Sequence, residues 1–203
     1  MTKIKICGLS RDIDAEFVNA AMPDYAGFII GVPFSRRNID AKRAGELRRL
    51  IDRKIKTVGV FINYPQNDIA NLVNSGIIEI VQLHGGENEE YIKSLRELVP
   101  STEIWKAFVV KSENDIEQAN ISTADRVLLD SGTGSGKTFD WSAVSGIKRE
   151  FILAGGLNFQ NIPKVIAQVN PWGVDLSSGV ETDGFKDREK ILRAVEICKK
   201  IIY

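Results

Sequence analysis

Four places along the chain put reactive or anion-binding residue types at the ends of short apolar runs. Cys7 closes Lys3-Ile4-Lys5-Ile6-Cys7 and precedes Gly8; Asp130 closes Arg126-Val127-Leu128-Leu129-Asp130. Gly155-Gly156 follow Phe151 to Ala154, and Ser177-Ser178-Gly179 follow Gly173 to Leu176. A thiol and a carboxyl that reach one small sugar can act as base and acid of a proton-shuffling isomerisation. Glycines and serines at strand ends let backbone N–H groups approach an anion such as phosphate, although the same residues also serve in tight turns and helix caps. Their occurrence after two consecutive strands favours phosphate. Lys5 shares the face of Cys7 by the two-residue strand period, and its ammonium is expected to favour the thiolate. Cys198, inside the last helical stretch, reads as packing.

A fifth stretch, Leu128 to Trp141, imitates a nucleotide-binding loop through Gly136-Lys137-Thr138. That motif needs a glycine five residues before Gly136, where Ser131 stands, and it should run directly into a helix, whereas Phe139-Asp140-Trp141 follows. Residues 132–138 read instead as a mobile flap between Asp130 and a helix capped by Asp140. His84 is the only histidine, and no second His or Cys stands at metal-ligand spacing, so no metal is expected.

Composition narrows the setting. With 27 basic and 27 acidic residues the chain lacks the positive excess that nucleic acid or an anionic membrane surface attracts. The charged start Met1-Thr2-Lys3-Ile4-Lys5 is no export signal, no run is long enough to span a bilayer, and two distant cysteines suggest no structural disulfide. A cytoplasmic protein is expected.

Elements that would position these residues alternate regularly. Strands are predicted at Lys3 to Cys7, Tyr25 to Ile30, Ile55 to Ile62, Ile77 to Leu83, Glu103 to Phe108, Arg126 to Asp130, Phe151 to Ala154 and Gly173 to Leu176. Helices are predicted at Asp12 to Ala21, Asp40 to Asp52, Pro65 to Asn74, Glu89 to Leu98, Glu113 to Gln118, Trp141 to Ile147, Phe159 to Val169 and Asp187 to Ile202. Repeated right-handed βαβ units without a composition break favour a compact (β/α)8 TIM barrel, one α/β domain over residues 1–203. A doubly wound open sheet is the alternative, but Ile6-Cys7-Gly8-Leu9-Ser10 lacks its glycine fingerprint. In a barrel the active site lies at the carboxyl ends of the strands, which is where Cys7, Gln82, His84, Asp130, Gly155, Asp175 and Ser177 fall. Trp105, Trp141 and Trp172 read as packing.

The motifs Lys5-Ile6-Cys7-Gly8-Leu9, Val81-Gln82-Leu83-His84-Gly85, Leu129-Asp130 with Gly134 to Trp141, Gly155-Gly156-Leu157-Asn158 and Asp175 to Glu181 together resemble the phosphoribosylanthranilate isomerases of tryptophan biosynthesis. The resemblance runs from Lys3 to the Lys186-Asp187 region. It implies a (β/α)8 barrel that performs an Amadori rearrangement of N-(5-phosphoribosyl)anthranilate, with Asp130 as general acid, Cys7 as general base and no cofactor. It also implies an arginine for the anthranilate carboxylate. Aligning Pro33 to Ile39 puts it at Arg37, with Arg36 as competitor because this loop is one residue longer than in some relatives. Gln82, His84, Gly155, Gly156, Asp175, Ser177, Ser178 and Gly179 complete the expected substrate-binding set. The loop from Asp130 to Phe139 is shorter than in many members. The expected partner is a small phosphosugar, and the expected state is a monomer or homodimer. The rivals are a dual-substrate isomerase that also takes a histidine-pathway aminoaldose, which would carry an aspartate at position 7, and a phosphate-binding barrel without activity.

Overall fold

In the computed structural model, which describes residues 1–130 and 144–200, eight parallel strands close on themselves. They are β1 (Lys3–Cys7), β2 (Tyr25–Ile30), β3 (Lys56–Phe61), β4 (Ile80–Leu83), β5 (Glu103–Val109), β6 (Arg126–Asp130), β7 (Phe151–Ala154) and β8 (Gly173–Leu176). Each pairs with its successor, and β1 pairs with both β2 and β8, so the ring has no open edge. Seven α-helices lie among the described residues: α1 (Asp12–Ala21), α2 (Ala41–Leu50), α3 (Gln66–Asn74), α4 (Glu89–Leu98), α5 (Glu113–Ile121), α6 (Ile162–Val169) and α7 (Arg188–Lys200). The fold is the expected (β/α)8 barrel. Residues 131–143, which include the stretch 132–138 and the first three residues of the helix expected at Trp141 to Ile147, lie outside the described residues; 144–147 form a turn in which the Ile147 amide donates to the Val144 carbonyl, not an α-helix.

Alternate residues of each strand face opposite ways, and the barrel uses both faces. Outward side chains such as Ile4, Ile6, Phe28, Val81 and Leu129 meet buried helix residues such as Leu47, Ile69, Leu95 and Val195 in the main core. Inside the ring, Tyr25, Val58, Ile80, Trp105, Leu128 and Ile152 form a separate apolar floor. Trp105 meets Tyr25 edge to face at 5.1 Å, and Arg126 stacks on Trp172 at 3.6 Å. Both of these tryptophans are therefore packing residues, as read. Above the floor the interior turns polar: Lys5, Gln82 and Asp175 are buried there beside Cys7. Cys198 is buried in α7, its thiol pushed up to about 12 by burial and by nearby Asp24.

Several predicted boundaries shift for identifiable reasons. Strand β4 starts at Ile80 rather than Ile77, because the Ile77 and Ile78 amides donate to the Leu72 carbonyl and finish α3. Helix α6 starts at Ile162 rather than Phe159; Asn158 Oδ1 accepts from the Gln160 and Asn161 amides in a turn, and Pro163 occupies the first helical turn. Helix α5 runs on to Ile121, which is 69% exposed and so breaks the apolar period that marks the earlier turns. Unpredicted elements are the two-residue strand Asn38–Ile39, a 3-10 turn at Ser178–Val180, and a hairpin pairing Glu181–Thr182 with Phe185–Lys186.

Candidate active site

A cavity of about 540 Å³ opens at the carboxyl ends of the strands. Cys7, Arg37, Gln82, His84, Asp130, Gly155, Gly156, Asp175, Ser177 and Ser178 all line it, so ten of the eleven predicted site residues meet in one place. The eleventh, Gly179, sits directly behind: a β-carbon there would stand 1.8 Å from the Leu157 carbonyl oxygen. The loops after β7 and β8 therefore touch backbone to backbone, and only glycine permits that approach. Gly155 and Gly156 both take positive φ, 92° and 65°, as the sharp turn between them requires. A larger cavity of about 810 Å³ lies at the opposite end, around Met1, Lys148 and Trp172, and holds none of these residues.

Cys7 is 6% exposed and sits at the end of β1, next to Gly27 of β2 in register. Beneath it the fully buried Lys5 ammonium meets both Asp175 oxygens at 3.0 and 3.1 Å. The effect of Lys5 on the thiol has the expected sign, but burial outweighs it. Burial, aided by the Asp175 charge, raises the Cys7 pKa, and Lys5 and Lys186 only partly offset it. Gly27 is a site residue that sequence reasoning missed: a β-carbon there would lie 3.0 Å from both Cys7 Sγ and Lys5 Cε.

Across the mouth, His84 Nε2 lies 3.5 Å from Asp130 Oδ2, and Gln82 Nε2 meets His84 Nδ1 at 3.0 Å. With the Gln82 amide as donor, Nδ1 accepts and the imidazole proton faces Asp130. Gln82 Oε1 is buried and has no hydrogen-bond partner among the described residues. The loop carrying His84 is fixed from behind by Glu87, which accepts from the Asn63 and Gly85 amides and from Lys106.

Arg37 lines the cavity, whereas Arg36 is 60% exposed at its side chain and does not. Both bind Glu181, Arg37 through Nε and Nη2 at 2.6 and 2.7 Å and Arg36 through Nη2 at 2.7 Å. Lys186 adds a third cation at 2.6 Å. Burial alone would push the Glu181 carboxyl up, but the Arg37 bond and the Lys186 charge outweigh it and hold the pKa at about 2. Beside this cluster the cavity wall is apolar, made by Ile29, Val32, Val60 and Ile62, with the exposed Phe34 at the rim. A positive group beside an apolar wall suits an aromatic acid, and the glycine loops opposite suit a phosphate.

Among the described residues no helix is long and apolar enough to cross a membrane. A family profile for N-(5'phosphoribosyl)anthranilate (PRA) isomerase matches residues 4–197. The N-(5'-phosphoribosyl)anthranilate isomerase of Endomicrobium trichonymphae is 45% identical, with 99% of this chain and 100% of that protein covered. A dimeric phosphoribosylanthranilate isomerase from Thermotoga maritima, solved as monomers, superposes with a TM-score of 0.85 at 34% identity, covering 99% of this chain and 100% of the other. A phosphoribosyl anthranilate isomerase solved with reduced 1-(o-carboxyphenylamino)-1-deoxyribulose 5-phosphate gives 0.83 at 32% identity, with 99% and 100% covered. Barrel, cavity and full-length similarity agree, and the chain belongs to the N-(5'-phosphoribosyl)anthranilate isomerase family.

Proposed function

We propose that this chain converts N-(5-phosphoribosyl)anthranilate to 1-(2-carboxyphenylamino)-1-deoxy-D-ribulose 5-phosphate, with Asp130 as general acid and Cys7 as general base. The observation that carries the reading is that Cys7 and Asp130, on strands three steps apart around the ring, line one cavity with Arg37 and the two glycine loops. Asp130 protonates the furanose ring oxygen while the anilino nitrogen lone pair forms a C=N bond to carbon 1, and the ring C–O bond breaks. The resulting cationic imine acidifies the hydrogen on carbon 2. Cys7 removes it, the electrons move into the carbon 1 to carbon 2 bond and then to nitrogen, and the enolamine becomes the ketone as carbon 1 takes up a proton. The substrate's own nitrogen is the electron sink, so the residues need only hold the sugar and move protons.

The remaining residues have matching tasks. Gly155, Gly156, Ser178 and Gly179 hold the phosphate, and Arg37 faces the anthranilate carboxylate while Ile29, Val32, Val60 and Ile62 take the ring. The orphan Gln82 Oε1 is an acceptor for a sugar hydroxyl, since a buried acceptor without a partner costs about 1–3 kcal/mol until one arrives. His84 orients Asp130; Asp175 holds Lys5 under Cys7, and Ser177, whose hydroxyl donates to the Cys7 carbonyl at 3.1 Å, fixes the strand end.

The test is turnover of phosphoribosylanthranilate generated in place, followed by loss of its anthranilate fluorescence. Turnover supports the isomerase. Binding of the reduced product without turnover would leave a phosphate-binding barrel.

A further inference from the structure

The buried Glu181 stands outside the reaction just described, yet it gathers three cationic side chains. It accepts from Arg36 Nη2, Arg37 Nε, Arg37 Nη2 and Lys186 Nζ, all within 2.7 Å. Glu181 is 8% exposed and Lys186 is 4% exposed. A lone charge pair would balance here, but three cations face one carboxylate, and the surplus is positive beside a cavity that takes an anion.

A guanidinium has two edges that can bind a carboxylate through paired N–H groups. Glu181 occupies the Nε/Nη2 edge of Arg37. Nη1 has no hydrogen-bond partner among the described residues, so the end-on Nη1/Nη2 edge is the one left for a ligand. The Arg37 stem crosses Gly8, where a β-carbon would meet its Cδ at 2.4 Å; the arginine is thus seated against the residue that follows Cys7. From the other side, Lys186 donates to Glu181 Oε1 and to the Ser177 carbonyl at 3.1 Å, and the Ser177 hydroxyl donates to the Cys7 carbonyl at 3.1 Å. The hairpin of residues 181–186, closed through Asp183 and Gly184 at positive φ, places the acidic and basic members of this strut in register.

We infer that Glu181 is a positioning residue for substrate recognition: it fixes the Arg37 guanidinium so that its end-on edge meets the substrate carboxylate, and couples that contact to the loop after β8. The inference rests on the reading of Arg37 as the carboxylate-binding group. It assigns Arg36 a different task, neutralising Glu181 from the solvent side without touching substrate.

The experiment is steady-state kinetics of wild type, E181Q, E181D, R37K and R36K on phosphoribosylanthranilate and on the phosphoribosylaniline analogue, which lacks the carboxylate. E181Q and R37K should each raise KM about tenfold on the anthranilate substrate with kcat within about threefold, and neither should change KM on the analogue. E181D keeps the charge but shortens the reach, and should fall between wild type and E181Q; R36K should match wild type. E181Q raising KM equally on both substrates would overturn the inference, because the carboxylate would then be a general strut. A normal KM for E181Q beside a raised one for R37K would overturn it while leaving the Arg37 reading intact. A normal KM for R37K would overturn that reading and the inference with it. Should E181Q fail to fold, E181D carries the same comparison.

Discussion

Lys5 Nζ, buried two residues before Cys7 on β1, is clamped by both oxygens of Asp175, its register partner on β8, at 3.0 and 3.1 Å. The pair has opposite effects on the thiol above it, the ammonium lowering its pKa and the carboxylate raising it. K5M should therefore move the alkylation pH profile of Cys7 upward and D175N should move it downward, read at Cys7 by peptide mass so that Cys198 does not interfere. Each variant strands one buried charge and should cost about 3–5 kcal/mol of stability. Identical profiles in all three proteins would remove Lys5 and Asp175 from control of the base.

Gly27 and Gly179 make room for different halves of the site, so their alanine variants should fail differently. G27A places a methyl 3.0 Å from Cys7 Sγ and 3.1 Å from Cys7 Cα, which moves the base; kcat should fall about tenfold or more with little change in KM. G179A drives a methyl into the Leu157 carbonyl oxygen and spreads the two phosphate loops; KM should rise about tenfold, and protection by inorganic phosphate should weaken. The same kinetic pattern in both variants would contradict the division of the cavity into a proton-transfer side and a phosphate side.

Acid stability should carry the signature of Glu181. Its folded pKa, about 2, lies below the ordinary 4.5, so its contribution is present above pH 4.5 and is lost as pH falls toward 2. Thermal melts across that window should show wild type losing more stability on acidification than E181Q. Parallel curves for the two proteins would contradict the charge cluster.

The pH dependence of catalysis follows from Cys7. Burial raises the thiol pKa above its ordinary 9.0 in the free protein, so the pH profile of kcat/KM should carry a limb set by an ionisation above pH 9. In C7S that limb should vanish along with most of the activity. A limb unchanged in C7S would assign the base elsewhere.

Much of the site was legible because a closed parallel barrel sends every strand end to one rim. Recognising where β1, β4, β6, β7 and β8 stop was enough to bring Cys7, Gln82, Asp130, Gly155 and Ser177 together. Contacts between distant side chains were not legible. Lys5 and Asp175 are 170 residues apart, and Arg37 and Glu181 are 144 apart, so no local period marks either pair. The hairpin that carries Glu181 and Lys186 has strands of two residues, too short for alternation to register. Gly27 sits inside an apolar run, where only the position of Cys7 on the neighbouring strand reveals why a side chain is excluded.

The decay of anthranilate fluorescence, with phosphoribosylanthranilate generated in place and wild type compared with C7A and D130N, tests the acid and base assignment most directly. Rapid turnover by wild type, with a loss of about 10²–10⁴-fold in kcat for each variant while both still bind the reduced product, is the predicted result. Either variant keeping more than about a tenth of wild-type kcat would contradict the role given to that residue.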